Sequence, residues 1–200
     1  MYTNRETIIL ASGSPRRQQY LLDMGLDFTI KTTSVEEQVD DGEGQDEFVV
    51  RMAREKAQAV SSSHPDSWVI SGDTIVCLGD IILGKPSSEK NAAEMLMMLS
   101  GQEHTVKTAF CVAQYRRGIS VCRLVATRVE FASFSKAVAS AYVATGEPLD
   151  KAGGYGIQGK GGCLVKSIKG SYSNVVGLPL NELLEILLKY QVIAPLTFLR

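Results

Sequence analysis

A six-residue segment near the amino terminus, Ser-Gly-Ser-Pro-Arg-Arg at positions 12–17, has the composition of an anion-binding turn. The apolar run at 7–11 predicts a buried strand before it, and the proline suits the first turn of a helix with the preceding serine as its cap. Backbone N–H groups at a helix start attract anions, and arginine side chains can hold phosphate oxygens bidentately. A solvated basic turn is the alternative. The predicted phosphate-binding residues are Ser12, Ser14, Arg16 and Arg17.

Carboxylates at two further places could support phosphoryl chemistry. Asp73 lies in Gly-Asp-Thr between two predicted strands, where it could take a proton from water or ligate Mg²⁺ or Mn²⁺. An aspartate there could also merely cap a turn. Glu36 and Glu37 form an adjacent acidic pair that could complete a hard-metal site, or could be surface charge.

Two lysines add to the positive charge that a polyphosphate would require. Lys56 lies on a predicted helix, where a solvated lysine is the alternative. Lys85 lies between Gly84 and Pro86, just after a predicted strand. Proline fixes the chain direction there, and glycine allows the backbone to approach a ligand closely. Together with the two arginines, these lysines favour a triphosphate as the ligand.

The stretch 153–162 is rich in glycine, which occupies six of its ten positions. Its Gly-x-Gly-x-x-Gly pattern formally matches a dinucleotide-binding turn. The predicted context excludes that interpretation, because a strand follows the loop where a helix would be required. A loop that passes close to a flat ligand is the better interpretation. The carboxamide of Gln158 could pair with the imide edge of uracil or thymine.

Composition excludes several classes of protein. Of the 200 residues, 44% are hydrophobic and 22% charged, as in an ordinary globular protein, and the net charge is -1. This balance gives no general attraction to nucleic acid or to an acidic membrane, so any phosphate affinity must be local. No apolar run is long enough to span a membrane. We expect a soluble, cytoplasmic protein.

The cysteines and histidines suggest no further chemistry. Cys77, Cys111, Cys122 and Cys163 are scattered, so a disulfide framework or a structural zinc site is not expected, and buried free thiols are the prediction. The two histidines, His64 and His104, fall near predicted loops and are expected at the surface.

Helices and strands alternate along the chain, with hairpins among them. Strands are predicted at 28–31, 68–71 and 163–168, a short hairpin over 75–83 and a long one over 105–131. Helices are predicted from Pro15, from about Asp46 as a cap, and over 88–99, 135–145 and from Pro179. This mixture predicts an α/β architecture with a mixed sheet.

Taken together, these motifs resemble the Maf family of septum-formation-associated nucleoside triphosphate pyrophosphatases, over about residues 8–190. The motif at 12–17 fits the family's opening signature, and Glu36-Glu37, the segment 53–56, Asp73-Thr74 and the segment 84–86 follow in the family's order. The segment 149–159 resembles the branch that acts on dTTP and UTP. Two departures are visible. The acidic pair is often Asp-Glu in the family, and the position of Gly154 is often alanine.

The resemblance implies cleavage between the α and β phosphates, yielding a nucleoside monophosphate and pyrophosphate, with a divalent cation such as Mg²⁺ or Mn²⁺. It implies one domain over 1–200, built on an elongated mixed sheet flanked by helices as in Maf and ITPase proteins, with an active-site cleft between two lobes. A homodimer is expected, with a nucleotide as substrate and neither nucleic acid nor a membrane as partner.

The resemblance also assigns roles. Asp73 would be the proton acceptor, and Glu37 with Asp73 would hold the metal. Phosphate binding would fall to Ser12, Ser14, Arg16, Arg17, Lys56 and Lys85, and base choice to Arg16, Thr74 and Gln158. The alternative function is a non-catalytic nucleotide-binding regulator of septum formation. The carboxylates favour the enzyme, since a pure binder gains nothing obvious from acids beside phosphates. A sequence-specific nucleic-acid binder is poorly supported.

Overall fold

A computed structural model describes residues 1–196. Its strands are β1 (Tyr2–Asn4), β2 (Ile8–Ala11), β3 (Thr29–Ile30), β4 (Trp68–Leu78), β5 (Ile81–Leu83), β6 (Glu103–Gln114), β7 (Ile119–Phe131), β8 (Val165–Lys169) and β9 (Ile193–Pro195). Its helices are α1 (Pro15–Asp23), α2 (Gln45–Ser63), α3 (Glu89–Leu99), α4 (Lys136–Val143), α5 (Tyr172–Val176) and α6 (Leu180–Lys189), and three short 3₁₀ turns lie between Glu147 and Leu164.

The main sheet is mixed, as predicted, and it is flanked by helices. Its strand order is β3-β2-β4-β6-β7-β8, with β5 paired to β4. β2 pairs in parallel with β3 and with β4, whereas β4 with β5 and β7 with β8 are antiparallel. β1 and β9 form a separate two-stranded antiparallel sheet that the sequence patterns did not predict.

The chain divides into two compact units, and β4, β6 and β7 each contribute residues to both. Of the described residues, unit 1 comprises 1–73, 109–124 and 177–196, and unit 2 comprises 74–108 and 125–176. The prediction of a single domain over 1–200 stays a prediction, and residues 197–200 lie outside the described part of the chain.

The core of unit 1 lies between its part of the sheet and helices α1 and α6. Ile8, Leu10, Trp68 and Ile70 come from β2 and β4, and Leu187 lies on α6; each is at most 1% exposed. Full burial of one such side chain contributes about 1.5–3 kcal/mol. The predicted inner face of α2 is also buried: Val49, Met52, Ala53, Ala57 and Val60.

Unit 2 has a core of its own. Leu96 and Leu99 of α3 pack with Val106 of β6 and with Val129 and Phe131 of β7. Tyr142 on α4 and Tyr155 in the glycine-rich stretch belong to the same cluster. The glycine-rich stretch is therefore anchored in a hydrophobic core.

Three local predictions are wrong. β4 is one continuous strand, so Asp73 lies within a strand rather than at a strand end. α2 is capped by Gly44 and not by Asp46, because the Glu47 carboxylate accepts a hydrogen bond from the Gly44 N–H at 3.1 Å. Cys111 of β6 and Cys122 of β7 form a disulfide, so they are not free thiols. Of the other two cysteines, Cys77 is buried and Cys163 is exposed, and neither forms a disulfide with another described residue.

No helix within residues 1–196 combines the length and apolar character that a membrane span requires.

Candidate active site

The turn that the sequence predicts to bind an anion lies between β2 and α1 in unit 1. Pro15 opens the helix and Ser14 occupies the capping position, but the Ser14 side chain makes no capping hydrogen bond. The buried Ser12 hydroxyl organises the turn instead. It accepts hydrogen bonds from the Ser14 N–H at 3.2 Å and from Arg17 Nη1 at 3.0 Å. The first turn of α1 contains no acidic residue, so the positive end of the helix stays available to an anion.

Two hydrogen bonds from the guanidinium fix the orientation of Arg17. Nε donates to the Gly177 carbonyl at 2.8 Å, while Nη1 donates to Ser12. Burial lowers the pKa of Arg17, the Asp73 and Glu37 charges oppose that shift, and Arg16 adds to it. A guanidinium starts from so high a pKa that it keeps its charge at neutral pH. Arg17 is therefore a charged donor held in one orientation, and it lies close enough to Asp73 and Glu37 for their charges to affect its pKa.

Lys56 joins the two carboxylates that the sequence singled out. Its Nζ lies 2.6 Å from Glu37 Oε1 and 2.6 Å from Asp73 Oδ1. The Lys56 and Asp73 side chains are only 13% and 14% exposed, whereas that of Glu37 is 48% exposed. Poor solvation strengthens the attraction within the pair of Lys56 and Asp73. Glu36 is not part of this arrangement, because its Oε1 accepts from Gln38 Nε2 at 2.7 Å.

Strand and helix periodicity explain how Asp73 meets Lys56. Ser71 and Asp73 are two residues apart on β4 and so point to the same face of the sheet. The Ser71 hydroxyl donates to the Ala53 carbonyl of α2 at 2.5 Å. Lys56 lies three residues beyond Ala53, on the same side of that helix. Helix α2 therefore contacts this face of β4 at two successive positions, through Ser71 with Ala53 and through Asp73 with Lys56.

Position 72 has little room for a side chain, because Arg17 and the backbone of Ala109 lie close to it. A Cβ at this position would lie 3.2 Å from Arg17 Nε and 3.4 Å from the Ala109 carbonyl oxygen. Arg17 is itself fixed by its hydrogen bonds and cannot yield freely. The glycine in Gly-Asp-Thr therefore allows the arginine to lie against the strand.

Unit 1 thus contains seven of the ten predicted site residues: Ser12, Ser14, Arg16, Arg17, Glu37, Lys56 and Asp73. The remaining three, Thr74, Lys85 and Gln158, belong to unit 2.

Thr74 connects to a buried polar network in unit 2. Its hydroxyl lies 2.9 Å from the Thr108 hydroxyl, which donates to the Asn174 carbonyl at 2.9 Å. The Asn174 amide donates to the Val106 carbonyl and to the Thr127 hydroxyl. Sequence reasoning missed this network, since its polar residues are far apart in the chain and only Thr74 lies in a motif.

Lys85 and Gln158 are both exposed, and their segments meet in unit 2. The Gly153 N–H donates to the Gly84 carbonyl at 3.0 Å, which joins the turn after β5 to the glycine-rich stretch. Consecutive 3₁₀ turns precede β8 in that stretch, and no helix begins there. This geometry agrees with the exclusion of a dinucleotide-binding turn.

His104 is buried rather than at the surface, contrary to the prediction. It is 2% exposed, and its Nε2 lies 2.8 Å from the Tyr155 hydroxyl. Phe131 contacts the imidazole edge-on. Burial lowers the pKa of His104 to about 4 and raises that of Tyr155. His104 is therefore neutral at physiological pH. His64 is half-buried at the end of α2, with Nδ1 3.1 Å from the Val60 carbonyl oxygen.

The Maf-like protein family matches residues 7–190, nearly the range over which the motifs resemble it. The chain belongs to the Maf family. A dTTP/UTP pyrophosphatase of Desulfotalea psychrophila is 54% identical over 194 residues, covering 97% of this chain and all of the relative. A dTTP/UTP pyrophosphatase of Salmonella typhimurium is 50% identical over 182 residues, covering 90% of this chain and 91% of the relative.

A solved nucleoside-triphosphatase, a dITP/XTP pyrophosphatase from Mycobacterium abscessus, is 12% identical with a TM-score of 0.43, and covers 93% of this chain and 95% of its own. That similarity is too distant to bear on the site.

Proposed function

We propose that this Maf protein is a pyrophosphatase that hydrolyses dTTP and UTP between the α and β phosphates. The observation that carries this proposal is the bridge from Lys56 to Asp73 and Glu37, near the half-buried guanidinium of Arg17. This arrangement combines anion binding with carboxylates, which a simple phosphate receptor does not require. The names of the similar proteins from Desulfotalea and Salmonella support the same activity and the same two nucleotides.

The reaction requires one base and several cations. Water attacks the α phosphorus, and a bond forms between the water oxygen and that phosphorus. The bond from the α phosphorus to the bridging oxygen breaks, and pyrophosphate leaves. Asp73 orients the water and accepts its proton. Phosphoryl transfer depends mostly on positioning and charge stabilisation, which suits a site made chiefly of cationic side chains.

Phosphate binding belongs to Ser12, Ser14, Arg16, Arg17, Lys56 and Lys85 in this proposal. Arg17 is the best prepared of them, because its hydrogen bonds to Ser12 and to the Gly177 carbonyl fix the guanidinium before the ligand arrives. A preorganised donor loses little entropy on binding. Arg16, Thr74 and Gln158 would select the base, and the exposed carboxamide of Gln158 offers a donor and an acceptor together.

Glu37 and Asp73 fit a divalent cation in their chemistry. Two carboxylate oxygens, Glu37 Oε1 and Asp73 Oδ1, already converge on the positive charge of Lys56. Oxygen donors suit Mg²⁺ or Mn²⁺, and Mg²⁺ commonly takes one or two carboxylates with substrate phosphates and water as its other ligands. Within residues 1–196 no cluster of three or more metal-binding side chains is present. When bound, the cation would neutralise phosphate charge.

The deciding experiment is incubation of the purified protein with Mg²⁺ or Mn²⁺ and a panel of nucleoside triphosphates, with products separated by chromatography. We expect monophosphate and pyrophosphate, formed fastest from dTTP and UTP. Fastest turnover of a guanine nucleotide would retain the chemistry and overturn the base preference. Tight dTTP binding without product would favour the non-catalytic regulator of septum formation.

The assembly and location of the protein are part of the proposal. We propose a homodimer in the cytoplasm that acts on a free nucleotide, with no nucleic acid or membrane as partner. The net charge of -1 supports the last point, since it provides no general attraction to polyanions. Sedimentation at several protein concentrations would test the dimer.

A further inference from the structure

One carboxylate in unit 2 makes hydrogen bonds to the backbone of the glycine-rich loop, residues 153–162. Glu147 follows α4 in a short 3₁₀ turn. Its Oε2 accepts from the Lys160 N–H at 2.9 Å, and its Oε1 accepts from the Gly161 N–H at 3.2 Å. The Tyr142 hydroxyl also donates to Oε1, at 2.8 Å. A single side chain thus satisfies two backbone donors of the loop.

Through the Tyr142 hydroxyl, Glu147 is also linked to the loop backbone on the amino-terminal side of Gln158. The Gly156 N–H donates to the Tyr142 hydroxyl at 3.0 Å. The loop is therefore held at Gly156 and at Lys160, which are two residues before and two residues after Gln158. The Gln158 side chain itself is exposed. Both ends of this short segment are fixed, while its carboxamide faces solvent.

The protonation states of Glu147 and Tyr142 favour these hydrogen bonds to the loop. Burial alone would raise the pKa of Glu147, but the N–H groups of Lys160 and Gly161, the Tyr142 hydroxyl and the Lys151 charge outweigh it, so the pKa is lowered. Glu147 is therefore ionised at neutral pH and accepts charge-assisted hydrogen bonds. Burial raises the pKa of Tyr142, so its hydroxyl keeps the proton that it donates.

The glycines of the loop allow these groups to approach. A Cβ at Gly159 would lie 2.5 Å from both carboxylate oxygens of Glu147. A Cβ at Gly161 would lie 2.5 Å from the Tyr142 hydroxyl, and one at Gly162 would lie 2.7 Å from the Ile157 carbonyl oxygen. The space that side chains would need at these three positions is thus occupied by the Glu147 carboxylate, the Tyr142 hydroxyl and the Ile157 carbonyl oxygen, respectively.

We propose that Glu147 is a positioning residue that sets nucleotide preference by fixing the backbone on both sides of Gln158. This inference rests on the proposed function, since it assigns base recognition to Gln158. Without Glu147, the Lys160 and Gly161 N–H groups would turn to water and the segment would sample other conformations. A carboxamide that is no longer held in one place discriminates poorly between an imide edge and other base edges.

The test compares Glu147→Ala and Glu147→Gln with Glu130→Gln as a matched control. Glu130 is also a carboxylate of unit 2 that accepts two hydrogen bonds, from Lys166 and Ser167, but it makes none to the loop. The measurements are kcat and KM for dTTP and for dCTP, which carries an amino group on the corresponding edge, together with hydrogen exchange of the amides of residues 153–162.

For Glu147→Ala we expect the preference for dTTP over dCTP to fall about tenfold or more, since one lost hydrogen bond is of that size. The change should lie mainly in KM, with faster exchange at Gly156, Lys160 and Gly161. Glu147→Gln keeps one acceptor oxygen and should recover part of both effects, and it replaces the alanine variant if that variant does not fold. The control should match the wild type.

An equal loss of kcat/KM for both nucleotides, or unchanged exchange in the loop, would overturn the positioning role. Wild-type protein that turns over no nucleotide would instead overturn the proposed function. In that case the ratio of dTTP to dCTP affinities, measured by calorimetry in the same variants, replaces the kinetic ratio, and an unchanged affinity ratio would overturn the role of Glu147.

Discussion

At the scale of single residues, Lys56 has a position that its sequence context did not predict. A lysine in the middle of a helix is usually solvated, yet its ammonium lies between Glu37 and Asp73. The like charges of the two carboxylates would repel each other without it. Lys56 thus allows the two carboxylates to lie close together. In the proposed function, a bound triphosphate and its divalent cation would interact with the same three charged side chains.

Asp73→Asn should lower turnover about 10²–10⁴-fold, because the amide cannot accept the proton of the attacking water. Nucleotide binding should stay measurable, since the asparagine keeps an oxygen that can accept from Lys56. Product formation and calorimetric binding, measured on the same preparation, separate the two effects. Asp80→Asn is the control, as Asp80 is an exposed residue after β4. Wild-type turnover in Asp73→Asn would exclude Asp73 as the base.

Gln158→Ala should reduce the preference for dTTP and UTP over other nucleotides by about 1–3 kcal/mol, the cost of leaving a buried polar group of the base without a partner. Competition between nucleotides in one reaction measures this ratio directly. Gln102→Ala, which removes another exposed glutamine of unit 2, serves as the control. If Gln158→Ala leaves the ranking of substrates unchanged, another residue selects the base.

At the scale of elements, the continuity of β4 organises the site of unit 1. Asp73 on one face of the strand meets Lys56 of α2, whereas Gly72 on the other face contacts Arg17 of α1. Successive residues of a strand point to opposite faces, so one Gly-Asp dipeptide serves both helices. A break in the strand at this point, as the sequence pattern suggested, would not fix these two directions.

Gly72→Ala should displace Arg17, because the added carbon would lie 3.2 Å from Nε with the Ala109 carbonyl oxygen close by. We expect KM for the triphosphate to rise at least several-fold, together with a loss of stability of about 1–3 kcal/mol from overpacking. Steady-state kinetics and urea unfolding measure the two effects. Gly44→Ala is the control, since its nearest new contact is 3.6 Å away. Identical KM values in both variants would contradict the role of Gly72.

At the scale of the whole molecule, the protein is nearly neutral although several positively charged residues are predicted to bind one ligand. The net charge is -1, yet four cationic side chains are predicted to bind phosphate: Arg16, Arg17, Lys56 and Lys85. Among the described residues, each unit contains a hydrophobic cluster of its own. Burial also has consequences for titratable groups that take no part in the proposed chemistry, and His104 is the clearest example.

The stability of the protein should fall at mildly acidic pH because of His104. Its pKa is about 4 in the folded protein against 6.5 ordinarily, so the unfolded chain binds a proton more readily between these values. The free energy of unfolding should therefore be unaffected by His104 above pH 6.5 and should decrease as the pH falls from 6.5 to 4, by about 3 kcal/mol in all.

Urea unfolding of the wild type and of His104→Gln at pH 7, 5.5 and 4.5 isolates this effect. Glutamine can still hydrogen-bond to the Tyr155 hydroxyl but does not titrate, so the acid-induced loss should be smaller in the variant. Carboxylates with lowered pKa, such as Glu147 and Glu130, contribute equally to both proteins. The same slope of stability against pH in both would refute a role for His104.

Periodicity and turn chemistry predicted most of the elements. Residues within one or two turns of each other account for the buried face of α2, the hairpin of β4 and β5 and the start of α1 at Pro15. They also account for the helix predicted over 88–99, which is found as α3. The sequence missed β1 with β9, because these strands are three residues long and pair across almost the whole chain. Short strands carry no periodic signal, and only packing reveals their partner.

The residues of the proposed chemistry, and membership of the Maf family, are determined by the sequence alone, because each motif is a short run of neighbours whose chemistry can be interpreted locally. Tertiary structure alone decided which groups meet. Lys56 and Asp73 are 17 positions apart, and the Gly161 N–H reaches Glu147 from 14 positions away. The burial that makes His104 neutral arises from Tyr155, 51 residues distant, and from Phe131. Contacts across such separations depend on how sheets and helices pack, and no local pattern encodes them.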